Sequence, residues 1–154
     1  MATVRAMTEA DLDRVMDLEQ AIFSSPWRRS FFVADVARPG GLCVVAEEGG
    51  EVVGYAVAWG SEEVHLANLA VEPAVRGKGV GDALIRAVLD YGRRRSAESV
   101  YLEVRQSNSV ARRFYARHGF VPTYLRKGYY ENGEDAIIME LALGDEDDGQ
   151  PRQV

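Results

Sequence analysis

The chain has 154 residues, one ordinary domain's length, and is 47% hydrophobic, enough for a real core. No apolar run reaches membrane-spanning length, Met1-Ala-Thr-Val-Arg5 lacks a signal-peptide apolar region, and the lone Cys43 excludes an internal disulfide, so a cytoplasmic protein without membrane partners is expected. The net charge of −6 divides into +8 over residues 76–127 and −14 elsewhere, which argues against general nucleic-acid binding and suits an anionic ligand in the middle of the chain.

Val4 to Met7 can form a first strand. Thr8, with Asp11 three residues on, starts a helix over 9–22 whose apolar stripe includes Leu12, Val15, Met16 and Leu18. Ser24-Ser-Pro-Trp27 breaks it, and a short helix over 29–37 ends at Arg38-Pro-Gly-Gly41. Leu42 to Glu47 and Glu51 to Trp59 read as a hairpin, and Gly60-Ser-Glu62 turns into a strand ending at Val71. Cys43, between Leu42 and Val44, reads as a core thiol. Three consecutive strands speak against a doubly wound dinucleotide fold, where helices alternate with strands.

Glu72-Pro73 ends that strand, and Gly77, Gly79 and Gly81 follow before Ala83 to Asp90, which reads as helix. A glycine-rich turn at a helix N-terminus offers unpaired N–H groups and partial positive charge, a site for a phosphate or pyrophosphate. The alternating glycines allow positive φ and close approach of the anion. The P-loop pattern fails for want of a Lys-Ser/Thr pair, and the dinucleotide fingerprint meets Asp82 where its third glycine belongs. The blander alternative is a surface turn without a ligand.

Ser99 to Val104 alternates as a strand, with Val100, Leu102 and Val104 on one face and Tyr101, Glu103 and Arg105 on the other. Asn108 can cap a helix that Gly119 stops, and Phe120 to Arg126 and Asp135 to Leu143 supply two more strands. The acidic residues from Gly144 to the end read as a disordered tail, 144–154, behind a single domain, 1–143. His65 and His118 have no acidic or cysteine cluster at metal spacing, so both read as structural and no metal is predicted.

Arg76-Gly-Lys-Gly-Val-Gly81 resembles the pyrophosphate loop of the GNAT N-acetyltransferases, and the element order matches that fold. Leu66 to Pro73 is similar to the family's fourth strand, and Leu102 to Asn108 with Phe114 to Phe120 to its fifth strand and the next helix. Glu19-Gln20, Pro26-Trp27, Leu102-Glu-Val-Arg105, Arg126-Lys-Gly-Tyr-Tyr130 and Glu134 to Met139 resemble the RimI branch, the ribosomal-protein-alanine acetyltransferases. One departure is Gly128, where those relatives commonly have asparagine.

The resemblance implies an α/β (α+β) fold, a mixed, largely antiparallel sheet of about seven strands with helices on both faces. It implies acetyl-CoA as cosubstrate, held by Leu69, Ala70, Val71, Arg76, Gly77, Lys78, Gly79, Val80, Gly81, Asp82, Asn108 and Tyr115, with pantetheine paired to the strand at Leu69 to Val71. Acetyl transfer to an amine needs a base, a donor to the thioester oxygen and an acid for the thiolate. Glu103 is the candidate base, its strand burial raising its pKa; the alternative is an ion pair with Arg105. Tyr115 is the candidate acid, with core packing as its alternative, and the Val71 N–H is the candidate thioester donor. Glu72 could bind a basic substrate or be solvated. The implied acceptor is the N-terminal amine of a basic, ribosomal protein beginning with alanine, and the enzyme is expected to be monomeric. A GNAT enzyme for a small amine and a non-catalytic CoA or nucleotide sensor remain as alternatives.

Overall fold

A computed structural model describes residues 1–144 of the protein. β1 (Thr3–Ala6) leads through a 3-10 turn, Glu9–Asp11, into α1 (Leu12–Ile22), then α2 (Arg29–Ala37), the hairpin β2 (Leu42–Glu48) and β3 (Glu51–Gly60), and β4 (Glu63–Val71). A second 3-10 turn, Pro73–Val75, precedes α3 (Val80–Arg94), β5 (Ser99–Arg105), α4 (Ser109–Arg117), β6 (Val121–Arg126) and β7 (Ala136–Ala142). The strands form one sheet in the order β1-β2-β3-β4-β5-β7-β6. β4 and β5 run parallel, whereas β1–β2, β2–β3, β5–β7 and β6–β7 are antiparallel. This is the expected mixed, mostly antiparallel seven-stranded α/β architecture. The acidic tail expected from 144 lies, from residue 145 on, outside the described residues.

Two helix starts differ from expectation, each for a local reason. The first helix opens as a 3-10 turn because Asp11 is engaged on several sides. Its Oδ2 accepts the Thr8 N–H at 2.8 Å, and the Arg5 guanidinium donates to both carboxylate oxygens at 2.9 Å. α3 starts at Val80 rather than Ala83: Gly81 takes no positive φ and joins the helix.

Internal contacts divide the described residues into two compact units: Met1–Trp59 with Leu66–Tyr91, and Gly60–His65 with the described residues from Gly92 on. In the first, Leu12, Val15 and Leu18 of α1 pack with Phe32 of α2 and with Val45, Tyr55 and Val57 of β2 and β3. Each such burial contributes ~1.5–3 kcal/mol relative to exposure. Phe32 is fully buried and meets Tyr55 edge-on at 5.7 Å and Trp27 at 5.2 Å. Cys43 packs in this unit, its sulfur 3.6 Å from that of Met7, and burial pushes its thiol up to about 12. The thiol is half-buried and packs against the core rather than inside it.

A carboxylate sits inside the same unit. Glu19 is 1% exposed, and its Oε1 accepts from the Tyr55 hydroxyl at 2.7 Å and from Asn68 Nδ2 at 3.0 Å. Its Oε2 accepts the Trp27 N–H at 2.9 Å. A buried carboxylate is tolerable only when its oxygens are satisfied in this way. The side chain thereby ties α1, β3, β4 and the α1–α2 connection together.

In the second unit β5 keeps the expected alternation. Val100, Leu102 and Val104 are buried, while Tyr101, Glu103 and Arg105 form a half-open face. α4 ends in a Schellman turn: Phe120 N–H donates to Tyr115 C=O, Gly119 N–H donates to Ala116 C=O, and Gly119 has φ +95°. Phe120 is buried beyond it.

Candidate active site

The glycine loop joins β4 to α3 within the first unit. Gly77 and Gly79 have φ +82° and +90°, a region that side-chain-bearing residues rarely adopt. A Cβ on either would meet nothing within 4 Å, so the loop is open above both. Arg76 folds back on the strand, its Nε donating to Val71 C=O at 3.1 Å. The first α-helical bond of α3 runs from Ala83 N–H to Gly79 C=O at 3.1 Å. Val80, Gly81 and Asp82 therefore form the helix's first turn, where N–H groups point along the axis toward an anion. An open loop at positive φ, running into a helix of 15 residues, fits a pyrophosphate. Leu69 is half-buried, and Ala70 and Val71 are buried, at the end of β4 just before this loop. Glu72 is paired: Arg14 Nη2 holds its part-exposed carboxylate at 2.6 Å.

The second cluster lies on the half-open face of β5. The parallel register sets His65 opposite Tyr101, and their rings stack at 4.7 Å with 10° between planes. His65 also reaches one residue pair further and meets Glu103 Oε1 through Nε2 at 2.7 Å. Glu103 thus sits with a histidine rather than with Arg105. Arg105 instead donates through Nη1 to Glu134 Oε1 at 3.1 Å, and its guanidinium lies 4.0 Å over the Tyr130 ring. Three tyrosines feel the charge of Glu103. Burial first, and then that charge, hold the Tyr101 and Tyr129 phenols above their ordinary values. Tyr130 is pushed up to about 12 by burial, then by Tyr129, with Arg105 opposing.

Asn108 caps α4 as expected, its Oδ1 accepting the Ala111 N–H at 3.1 Å. Tyr115 lies on that helix, 9% exposed, edge-on to Phe114 at 5.2 Å and to Phe120 at 5.6 Å. Burial, with a smaller contribution from Tyr130, raises its phenol well above the ordinary tyrosine range, so it stays protonated throughout neutral pH. Gly128 has φ +63°, and its N–H donates to Asp135 Oδ1 at 2.8 Å. That left-handed region is also open to asparagine, so the departure at this position leaves the turn in a conformation either residue adopts.

The sequence alone assigned His65 no partner and left Tyr101 without a role. Period-two alternation was the available signal, since it puts both on half-open faces. Among the described residues, no group of three or more His, Cys, Asp or Glu could hold a metal ion. Among them too, no helix is long and apolar enough to cross a membrane.

Residues 12–120 match the acetyltransferase (GNAT) family. The chain belongs to the GNAT family. It is an acetyl-CoA-dependent N-acetyltransferase. It is 37% identical over 153 residues to the N-alpha-acetyltransferase RimI of Mycobacterium tuberculosis, covering 93% of this chain and 94% of that one. It is 30% identical over 147 residues to the [ribosomal protein bS18]-alanine N-acetyltransferase of Escherichia coli, covering 93% and 99%. The crystal structure of the ribosomal-protein-S18-alanine N-acetyltransferase from Escherichia coli superposes with a TM-score of 0.84 at 29% identity, covering 99% of this chain and 100% of that one. In sequence and fold this GNAT enzyme resembles RimI over most of its length.

Proposed function

We propose that the enzyme acetylates the N-terminal α-amine of a protein, with the alanine terminus of ribosomal protein bS18 as its substrate and residues 1–143 as its single catalytic domain. The observation that carries the chemistry is Glu103, a half-buried carboxylate bonded to His65 and set among tyrosines. The likeness to RimI enzymes supports the choice of acceptor.

Acetyl-CoA supplies the acetyl group as a thioester, whose C–S bond breaks as the amine nitrogen forms the new C–N bond. Arg76, Lys78 and the N–H groups of Gly77 to Asp82 hold its pyrophosphate. Leu69, Ala70 and Val71 offer strand backbone to pantetheine; β4 pairs with β5 over Glu63 to His65, and this stretch lies beyond that pairing. The amide N–H₂ of Asn108 is a further donor to that arm. Glu103 accepts the ammonium proton, directly or through water, and His65 stands on the same oxygen to pass it on. The Val71 N–H donates to the oxyanion. Tyr115, kept protonated by burial, gives its proton to the departing thiolate, and the second proton shed by the amine nitrogen restores its phenol through water. An α-amine has a pKa near 8, well below that of lysine, so a carboxylate base serves it.

The test is a peptide set differing only at the N-terminus and in early charges, compared by kcat/KM and mass spectrometry. The free alanine terminus of a basic peptide should react fastest. A blocked α-amine with a free lysine reacting equally well, or a polyamine outperforming every peptide, would remove the N-terminal reading and leave an acetyltransferase for another amine.

A further inference from the structure

The loop between β6 and β7, residues 127–135, carries Tyr129 and Tyr130 and is unusually well tied. Within it, Gly128 N–H donates to Asp135 Oδ1 at 2.8 Å, Tyr130 N–H to Glu134 C=O at 3.1 Å, and Gly133 N–H to Tyr130 C=O at 2.8 Å. Glu134 N–H donates to Asn132 Oδ1 at 3.0 Å. A loop closed this way presents its two tyrosines on a small rigid frame, and their rings meet edge-on at 5.0 Å.

The frame is then clipped to the segment that follows β5. Glu134 makes the clip with both carboxylate oxygens. Oε1 accepts from Arg105 Nη1 at 3.1 Å, and Oε2 accepts the Ser107 N–H at 2.8 Å. Arg105 Nη1 also donates to Asn132 Oδ1 at 3.2 Å, and Gln106 N–H donates to Asp135 C=O at 3.1 Å. The guanidinium covers the Tyr130 ring at 4.0 Å. Arg105 stands two residues after Glu103 on the same face of β5, and Ser107 directly precedes Asn108, the cap of the helix bearing Tyr115. One carboxylate therefore joins the tyrosine loop to the strand end and helix start that carry the two proton-transfer candidates. The Ser107 and Arg105 bonds also hold the Glu134 carboxyl below the usual carboxylate range, so the clip stays charged in mildly acidic conditions.

We infer that Glu134 and Arg105 are positioning residues of the acceptor side: their ion pair holds the Tyr129–Tyr130 loop in register with Glu103 and sets the KM for the incoming peptide. This rests on the N-terminal acceptor reading above. A cation–π contact and a two-oxygen carboxylate are both geometry-specific, so lysine in place of arginine does not reproduce the frame. An amide in place of Glu134 keeps an acceptor for one partner only.

The experiment compares the full chain with Glu134→Gln, Arg105→Lys and the double variant, using an alanine-initiated basic peptide and acetyl-CoA. Each single variant should raise peptide KM about tenfold while the calorimetric Kd for acetyl-CoA stays unchanged, a split that a general loss of fold would not produce. The double variant should lose little more than the worse single one, because both break one clip. If Glu134→Gln fails to fold, Arg105→Lys carries the test alone. Unchanged peptide KM in a folded variant, or additive losses in the double variant, would overturn the clip. A wild-type enzyme inactive on every peptide would instead overturn the acceptor reading, so the two failures are distinct.

Discussion

Glu19→Gln is the substitution whose cost the structure lets one work out bond by bond. The carboxylate accepts three hydrogen bonds, two on Oε1 and one on Oε2, and is 1% exposed. Glutamine keeps the shape, and its single carbonyl oxygen can still serve Tyr55 and Asn68. Its N–H₂ then faces the Trp27 N–H, so a charge-assisted bond is lost and a donor is left against a donor. Removing a hydrogen bond to a charged group costs ~1.5–3 kcal/mol. For a chain of this size each kcal/mol lowers Tm by roughly 2–4 °C, so the variant should melt roughly 3–12 °C lower. Glu19→Ala leaves all three donors unpaired at ~1–3 kcal/mol each, approaching the 5–15 kcal/mol that holds a typical domain together, so it should be largely unfolded. Thermal melts by circular dichroism and urea titration give both numbers. A Glu19→Gln protein melting within about a degree of wild type would refute the reasoning and show the carboxylate to be dispensable.

Gly79→Val should weaken acetyl-CoA binding strongly in a folded protein: a β-branched residue at φ +90° is strained by ~1–3 kcal/mol, yet its Cβ meets no neighbour. Unchanged calorimetric affinity in the folded variant would remove the loop from the pyrophosphate site. Glu103→Gln should lower kcat ~10²–10⁴-fold near neutral pH and remove the acidic limb of the pH–rate profile, while Tyr115→Phe should lower kcat with little change in acetyl-CoA affinity. Near wild-type turnover in both would return these side chains to packing roles. Gly54→Ala should destabilise by ~1–3 kcal/mol, because its Cβ would lie 2.8 Å from Ala70 C=O and 3.1 Å from Leu84; an unchanged urea midpoint would contradict the packing. Finally, Tyr55, Tyr115 and Tyr130 have phenols raised above the ordinary value. The unfolded chain therefore loses those protons first, so stability is full below about pH 10 and falls above it, for Tyr130 until about 12. Urea midpoints that stay flat from about pH 9 to about pH 11 would exclude this linkage.

Much of the molecule was legible because its chemistry is local. The order of elements follows from period and punctuation: α2 occupies the 29–37 read from the sequence, Asn108 caps α4, and Gly119 ends it. The glycine loop was legible for the same reason, since a turn needing positive φ selects its own residues at Gly77 and Gly79. Gly81 was misread only in detail, because a glycine can also enter a helix when the first turn has good formers after it. Glu103 and Tyr115 were named from likeness, and the alternation of β5 alone put Glu103 on a face with Tyr101.

Partnerships were another matter. The choice of His65, not Arg105, for Glu103 depends on a parallel register between strands 38 residues apart, and a shift of one residue would turn His65 to the other face. Glu19 was noted as part of a motif, yet nothing in residues near it shows that Tyr55 and Asn68, 36 and 49 residues away, would satisfy it in a core. The Glu134 clip likewise joins positions 27 and 29 residues apart. Turns and caps are legible in a chain because the groups that satisfy one another are neighbours along it. Buried charges and ion pairs are not, because their partners are selected only when strands pair and the core closes.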